Sequence, residues 1–196
     1  DTSGIILFAK SPQVMFDLMA QFKQREVQKT YLALVHEHFT QPAGLVSVGI
    51  QRHPQDRERF SVSSEGRPSV TRYEVEKEFA KIDLAKLKQI LASRQETVPG
   101  LGKMLSIYQG FSLVRLQPKT GRTHQLRVHL KFIHHPIVGD ERYVGRKRYR
   151  VDALWCPRQW LHAWKIEFRH PVDHQSYMFE APVSDDLQAA LNLLQE

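Results

Sequence analysis

The densest group of polar side chains in this sequence lies between Lys119 and His129, where the chain reads KTGRTHQLRVH. Gly121 interrupts the preceding segment, and Thr123 is placed to cap a helix that follows. The first turn of a helix exposes free N–H groups and the positive end of the helix dipole, which together favour an anion. Arg127 lies about one turn inside this helix, where its charge opposes the dipole. We therefore expect a carboxylate or a phosphate to pair with Arg127.

A single arginine at a helix start is usually solvated surface and contributes little. Here five side chains that carry charge or strong hydrogen-bonding groups fall within eight positions: Arg122, His124, Gln125, Arg127 and His129. This density indicates an anion-binding site, with the amide of Gln125 supplying donors and acceptors beside the two guanidinium groups.

The ten histidines raise a second hypothesis, a metal-dependent hydrolase. His124 and His129 are five residues apart, which does not place them on one helical face as an i, i+4 pair would be. No motif combines histidines and a carboxylate at the spacing of metal ligands. His162, in the apolar segment WLHAW, is expected to be a hydrogen-bonded core residue. We therefore expect no catalytic metal.

Composition limits the class of protein. The chain has 196 residues, with 28 Lys and Arg against 21 Asp and Glu, so that its formal net charge is +7. This excess permits a nucleic-acid partner without proving one. One cysteine, Cys156, excludes an internal disulfide framework. No apolar run reaches the roughly 20 residues of a membrane span, and residues 1–10 lack the features of a secretory signal. A cytoplasmic protein is expected.

Apolar periodicity predicts the elements that position these residues. Strands are predicted at 4–9, 30–36, 45–50, 69–78, 104–116, 160–169 and 176–181. Helices are predicted at 12–25, 83–95, 123–135 and from 185 onward. The polar segment 51–66 is expected to be a loop or an irregular hairpin. The economical interpretation is one α/β (α+β) domain over residues 1–196, built on a mixed, mostly antiparallel sheet with flanking helices and a helical insertion on the surface near 83–104.

In their order, these segments resemble the catalytic domain of the RluA-type family of RNA pseudouridine synthases. Residues 1–10 (DTSGIILFAK) look like the continuation of the family's HRLDxxTSG signature. Residues 29–35 (KTYLALV) are similar to its second motif, and residues 116–129 (LQPKTGRTHQLRVH) to its third. The tail of the third motif is matched by residues 136–140 (PIVGD) together with Tyr143.

The resemblance implies isomerisation of uridine to pseudouridine in structured ribosomal or transfer RNA, without a cofactor or a metal. The target uridine is flipped out of its stack, and an aspartate attacks it. That aspartate is the D of HRLD and corresponds to a position two residues before Asp1, which itself occupies a variable position of the signature. We therefore expect an N-terminally truncated catalytic domain that is inactive as given.

Carried over by position, Tyr31 packs against the flipped base and assists proton removal from carbon 5. Arg127 forms an ion pair with the absent aspartate and keeps it charged. The same resemblance, together with charge, assigns RNA contacts to Lys29, Arg57, Arg59, Arg122, His124 and Gln125. The alternative is a non-catalytic RNA-binding α/β module. The segment ahead of Asp1 would distinguish the two, because the enzyme requires the HRLD signature there and the module does not. A monomer is favoured.

Overall fold

The structure, a computed structural model, describes all 196 residues. Its strands are β1 (Ser3–Gly4), β2 (Gln28–His36), β3 (Ala43–Arg52), β4 (Phe60–Val62), β5 (Arg67–Phe79), β6 (Lys81–Ile82), β7 (Phe111–Pro118), β8 (Leu161–Arg169), β9 (Ser176–Glu180) and β10 (Leu194–Gln195). Its helices are α1 (Pro12–Gln24), α2 (Leu84–Ser93), α3 (Leu101–Leu105), α4 (Gln125–Phe132), α5 (Arg146–Asp152) and α6 (Asp185–Leu191).

Eight strands form one mixed sheet in the order β1-β8-β2-β7-β5-β3-β4, and β9 also pairs with β8. Every pair in this sheet is antiparallel except β1 with β8. Strands β6 and β10 form a separate two-stranded ribbon. The predicted fold class, an α+β domain on a mixed, mostly antiparallel sheet, is confirmed.

The centre of the core lies where β2 pairs with β7. Ala33, Leu34, Val114 and Leu116 are fully buried there because both faces of these strands are covered. Burying an aliphatic side chain of this size contributes roughly 1.5–3 kcal/mol. This pairing holds Tyr31, at the start of the buried part of β2, opposite Leu116.

Helix α1 forms as its sequence predicts. Ser11 caps it by accepting a hydrogen bond from the backbone N–H of Val14, and Pro12 occupies the first turn, a position that suits proline. The helix ends at Gln24, and Arg25, which follows it, has the left-handed φ of 64°. Only part of its apolar face is covered: Leu18 is buried, whereas its neighbours Met15, Met19 and Phe22 are exposed.

The segment near 83–104 is helical, as predicted, and Asp83 caps α2. Leu87, Leu91 and Leu101 of this segment belong to the main hydrophobic core. The two helices are therefore an integral layer of the domain rather than an addition on its surface.

Three predictions about elements are corrected. The apolar run 4–9 forms strand only up to Gly4, and the side chains of Ile6 and Phe8 are 73% and 76% exposed. Residues 104–110 are not strand, because the chain completes α3 before β7 begins at Phe111. Thr123 does not cap α4, since the residue that precedes the helix is His124.

None of the six helices combines the length and the apolar composition that crossing a bilayer requires.

Candidate active site

A cleft of about 720 Å³ opens where the start of α4 meets the ends of β2 and β7. We call it the central cleft. It is bounded by residues 1–2, by Tyr31 of β2, by residues 120–127 and by part of the 52–60 segment. The structure thus brings the first residues of the chain, Tyr31 and Arg127 to one site. Its volume is in the range that accommodates a nucleoside-sized ligand.

Tyr31 is held on a central strand, between Leu116 of β7 and Ala163 of β8. The pairing register with β8 shifts between Thr30 and Tyr31, an irregularity of the kind that redirects a side chain. Burial raises the pKa of Tyr31, so that its phenol is protonated at neutral pH. The hydroxyl forms no hydrogen bond within the protein, which leaves it available to a ligand in the central cleft.

Arg127 forms a bidentate ion pair with Asp140. Its Nε and Nη2 atoms donate to the two carboxylate oxygens at 2.7 and 2.6 Å. The carboxylate is fully buried and also accepts hydrogen bonds from the backbone N–H groups of Arg142 and Tyr143. The guanidinium carbon lies 4.9 Å from the ring centroid of Tyr143. Arg127 is thereby fixed on two sides.

The carboxylate that the sequence led us to expect beside Arg127 is present, and it comes from this chain. Asp140 occupies two of the three guanidinium nitrogens, and Nη1 has no partner within the protein. Pairing of Arg127 with a second aspartate from ahead of Asp1 stays a prediction, and three N–H groups of the guanidinium, two of them on Nη1, are free for it.

Gln125 holds the wall of the central cleft together. Its Oε1 accepts hydrogen bonds from the hydroxyl of Thr120 at 2.7 Å and from the backbone N–H of Arg122 at 3.0 Å. Its Nε2 donates to the carbonyl oxygen of Val70 and to the hydroxyl oxygen of Thr71, both at 3.0 Å. All four hydrogen-bonding positions of the amide are used. Gln125 is buried and also lines the central cleft, so its contact with RNA stays a prediction, while within the protein it shapes the loop.

His129 extends this network beneath the cleft. The Thr71 hydroxyl gives its hydrogen to Nδ1 of His129 at 2.9 Å, while Nε2 lies 2.8 Å from the hydroxyl of Ser69. Because the Ser69 hydroxyl donates to the Val48 carbonyl at 2.6 Å, it accepts from Nε2–H of His129. Burial lowers the pKa of His129 to about 4, which agrees with a neutral ring of this tautomer.

His124 faces the cleft as a neutral side chain. It has the left-handed φ of 55°, and its Nδ1 lies 2.9 Å from the phenol oxygen of Tyr143. That oxygen accepts a hydrogen bond from the backbone N–H of Phe60, so the Tyr143 hydroxyl donates to His124. Burial lowers the pKa of His124, and the charges of Arg127 and Arg142 lower it further.

The predicted RNA contacts separate into two groups. Lys29, Arg57, Arg122 and His124 line the central cleft, so the fold brings them together. Arg59 does not line it: its guanidinium lies over the ring of Tyr143, 5.5 Å from the centroid, and its Nε is buried without a partner. Within the protein Arg59 packs against Tyr143, and its contact with RNA stays a prediction.

Sequence reasoning missed the roles of Asp140, Arg142 and Tyr143. All three lie in the tail of the third motif. That tail supported the family resemblance, but no role was predicted for its side chains. Gly139 explains why this tail returns to the site: its φ is 70°, and a Cβ there would lie 2.4 Å from the Arg158 carbonyl oxygen. Glycine tolerates both this φ and this close approach, and the next residue, Asp140, contacts Arg127 of α4.

The histidines do not assemble a metal site. No group of three or more His, Cys, Asp and Glu side chains is arranged to hold a metal ion. His162 is a hydrogen-bonded core residue, as expected, with Nδ1 2.9 Å from the Ser3 hydroxyl and Nε2 3.1 Å from the Ala181 carbonyl oxygen. The hydrolase hypothesis thus receives no support from the side-chain geometry.

The central cleft combines several cations, a fixed arginine and a phenol without a partner, features that suit an anionic ligand carrying an aromatic group. Comparison with known proteins identifies the class of protein. Residues 1–132 match the family model described as RNA pseudouridylate synthase. The chain belongs to this family, and the resemblance seen in its sequence is confirmed.

Individual relatives extend the similarity over the whole chain. The ribosomal large subunit pseudouridine synthase D of Nitrosomonas europaea is 36% identical over 198 residues, which cover 99% of this chain and 48% of that protein. An uncharacterized RNA pseudouridine synthase of Chloroflexus aurantiacus is 34% identical over 196 residues, or 100% of this chain and 51% of that protein. The chain therefore spans about half the length of these relatives.

Among solved structures, the human RNA Pseudouridylate Synthase Domain Containing 1 protein superimposes with a TM-score of 0.64 at 28% identity. The match covers 89% of this chain and 62% of the human one. The human Domain Containing 4 protein, at 20% identity and a TM-score of 0.62, shares the fold.

Proposed function

We propose that the polypeptide containing this chain converts uridine to pseudouridine in RNA, with the central cleft as its active site. The observation that carries the proposal is the convergence of residues 1–2, Tyr31 and Arg127 on that cleft. The family's aspartate corresponds to a position two residues ahead of Asp1. Two extended residues span at most about 7 Å. An aspartate at that position is thus within reach of the cleft that Asp1 already lines.

The chemistry follows from these positions. The target uridine leaves its stack and enters the central cleft. The aspartate acts as a nucleophile, the bond between ribose C1′ and N1 of the base breaks, and the base rotates. C1′ then bonds to C5, which loses its proton, N1 gains one, and the bond that the aspartate formed to the substrate breaks so that its carboxylate is regenerated. The ring of Tyr31 packs against the base, and its hydroxyl, which is protonated at neutral pH, relays the C5 proton by passing on its own proton as it accepts that one. Nη1 of Arg127 orients the aspartate and keeps it ionised.

Ribosomal RNA of the large subunit is the substrate we propose first. The relative from Nitrosomonas europaea and one from Vibrio cholerae, synthase C at 32% identity, are both named ribosomal large subunit pseudouridine synthases. Such an enzyme acts in the cytoplasm, and we propose that it does so as a monomer without a metal or a cofactor. The alternative of a non-catalytic RNA-binding module receives no support from these comparisons.

The test uses large-subunit ribosomal RNA purified from cells that lack the gene. The purified full-length product is incubated with this RNA, and pseudouridine is mapped by mass spectrometry. We expect at least one uridine to be converted. Residues 1–196 alone are expected to bind the RNA without converting it. RNA binding by the full-length product without any conversion would favour the non-catalytic module instead.

A further inference from the structure

A second depression, of about 590 Å³, adjoins the central cleft between the end of α1 and the loop that joins β7 to α4. We call it the basic groove and define it by its five cations: Lys23, Arg25, Lys29, Lys119 and Arg122. No aspartate or glutamate lines it. Charge of one sign in a concave site concentrates the field and attracts a polyanion.

The five cations of the basic groove are also free of ion pairs. Some cations elsewhere in the chain have carboxylate partners, for example Lys165 with Glu180 at 2.9 Å and Arg158 with Asp186 at 2.7 Å. None of the groove cations has a carboxylate oxygen within 4.0 Å. The charge of the groove is therefore not neutralised within the protein.

An aromatic side chain accompanies this charge. Phe22 lines the basic groove, is 42% exposed, and lies with its ring centroid 5.4 Å from the ammonium nitrogen of Lys29. A cationic groove with an exposed aromatic ring is the arrangement that binds single-stranded nucleic acid, because phosphates pair with the cations and bases stack on the ring.

The basic groove is continuous with the central cleft. Both are lined by Lys29, Gly121 and Arg122, so that a chain lying in the groove leads directly to Tyr31. A strand whose target base occupies the cleft must carry its neighbouring phosphates along one of the paths that leave it.

We propose that the basic groove holds the RNA backbone on one side of the target uridine, with Lys23, Arg25 and Lys119 pairing with its phosphates. That the ligand is RNA rests on the proposed function. The route of its backbone is argued separately, from the residues that line the basic groove. These three residues lie outside the catalytic site, since they line the groove and not the central cleft. They are positioning residues for the substrate.

The test compares two triple variants of the full-length product. The groove variant carries Lys23→Gln, Arg25→Gln and Lys119→Gln. The matched control carries Lys88→Gln, Arg94→Gln and Lys103→Gln on the segment of α2 and α3, and these three cations are exposed. Both variants lose the same charge. The dissociation constant for a single-stranded oligouridylate is measured at several salt concentrations, and pseudouridine formation is measured on ribosomal RNA from cells lacking the gene.

Each phosphate contact to a single strand contributes about 0.7 to the slope of log affinity against log salt. We expect the slope of the groove variant to become shallower by about 2 and that of the control to stay near the wild-type value. Conversion at saturating RNA should keep the wild-type rate, whereas the RNA concentration needed for half-maximal rate should rise.

Equal slopes in the groove variant and the control would overturn the proposal. Unchanged RNA binding together with lost binding of polyglutamate would reassign the groove to an acidic protein segment. A wild-type product that binds RNA but forms no pseudouridine would contradict the proposed function and leave the slope comparison as a separate result.

Discussion

At Tyr31 the phenol faces the central cleft without a partner, whereas the guanidinium of Arg127 is held by Asp140 and Tyr143. Substitutions at the two positions therefore have different effects. A substitution of Tyr31 removes a hydroxyl that is free to contact a ligand, whereas a substitution of Arg127 removes one half of a buried ion pair.

Replacing Tyr31 with Phe should slow conversion of uridine by roughly a hundredfold or more, the scale of a lost proton-transfer group. RNA affinity should change little, because the ring remains. Single-turnover rates and dissociation constants measure the two effects separately. Tyr177→Phe, on the exposed strand β9, is the matched control and should change neither. A wild-type rate for Tyr31→Phe would contradict the role of its hydroxyl.

Replacing Arg127 with Met should lower the free energy of unfolding by about 3–5 kcal/mol, since Asp140 is left charged and buried without its partner. Denaturant unfolding measures this change. Adding Asp140→Asn should recover part of the loss. Arg169→Met, which breaks an exposed pair with Glu26 at 3.8 Å, should cost less than about 1 kcal/mol. Equal losses for Arg127→Met and Arg169→Met would show that the buried pair is not the source of stability.

His129 makes the stability of the protein depend on pH. Its pKa is about 4 in the folded chain, against 6.5 for an unperturbed histidine. The unfolded state thus takes up the proton first. The stability that the neutral ring contributes is present above about pH 6.5 and is lost as the pH falls toward 4. Between about pH 7.5 and about pH 4.5, wild type should lose roughly 2–3 kcal/mol more than His129→Gln.

Thermal or denaturant unfolding at the two pH values tests this expectation, with the exposed His174→Gln as the control. The comparison uses the change with pH within each variant, so that the cost of the substitution itself cancels. If wild type and His129→Gln lose the same stability, His129 is not buried as a neutral ring.

Among the elements, α4 and the loop before it depend on Gln125. Replacing Gln125 with Ala should remove the acceptor of the Arg122 N–H and cost about 1–3 kcal/mol, the penalty for leaving buried polar groups without partners. Hydrogen exchange at the Arg122 amide should become faster. Exchange at Leu34, whose N–H donates to the Trp160 carbonyl in the core, should not. An unchanged rate at Arg122 would mean that the loop is held by other contacts.

The elements that the sequence predicts well are those whose signals are local. Helix α1 has its cap at Ser11 and a proline in its first turn, and β2 is a run of apolar residues that the core covers on both sides. The segment 4–9 has an equally apolar run, but Ile6 and Phe8 are exposed and do not pair. An apolar run forms a strand only where another strand pairs with it, and its composition alone does not show whether such a partner exists.

Some residues of the site were predictable from the sequence and others were not. Arg127 was predicted to need an anion because a charge opposed to the helix dipole is a local feature. Asp140 was not identified as that anion, since it reaches Arg127 only after the turn at Gly139 folds the chain back. The packing of Arg59 against Tyr143 and the hydrogen-bond network of Gln125 were not foreseen, because charge and polarity in a sequence do not show which groups a side chain contacts within the fold.

In the molecule as a whole, the sheet brings distant segments to one end of β2. Residues 1–2 approach through the pairing of β1 with β8, and α4 approaches through the network of Gln125 and His129 beneath it. Lys29 and Arg122 connect the central cleft to the basic groove. The net charge of +7 is thus accompanied by a continuous cationic surface that runs into the site.

The most direct measurement is a transcriptome-wide map of pseudouridines in cells with and without the gene that encodes this chain. We predict that at least one uridine, in ribosomal RNA of the large subunit, is modified in the parent cells and unmodified in the deletion. The wild-type gene should restore it, and the Tyr31→Phe gene should not. An identical map in parent and deletion cells would contradict the assignment of this cleft to uridine isomerisation.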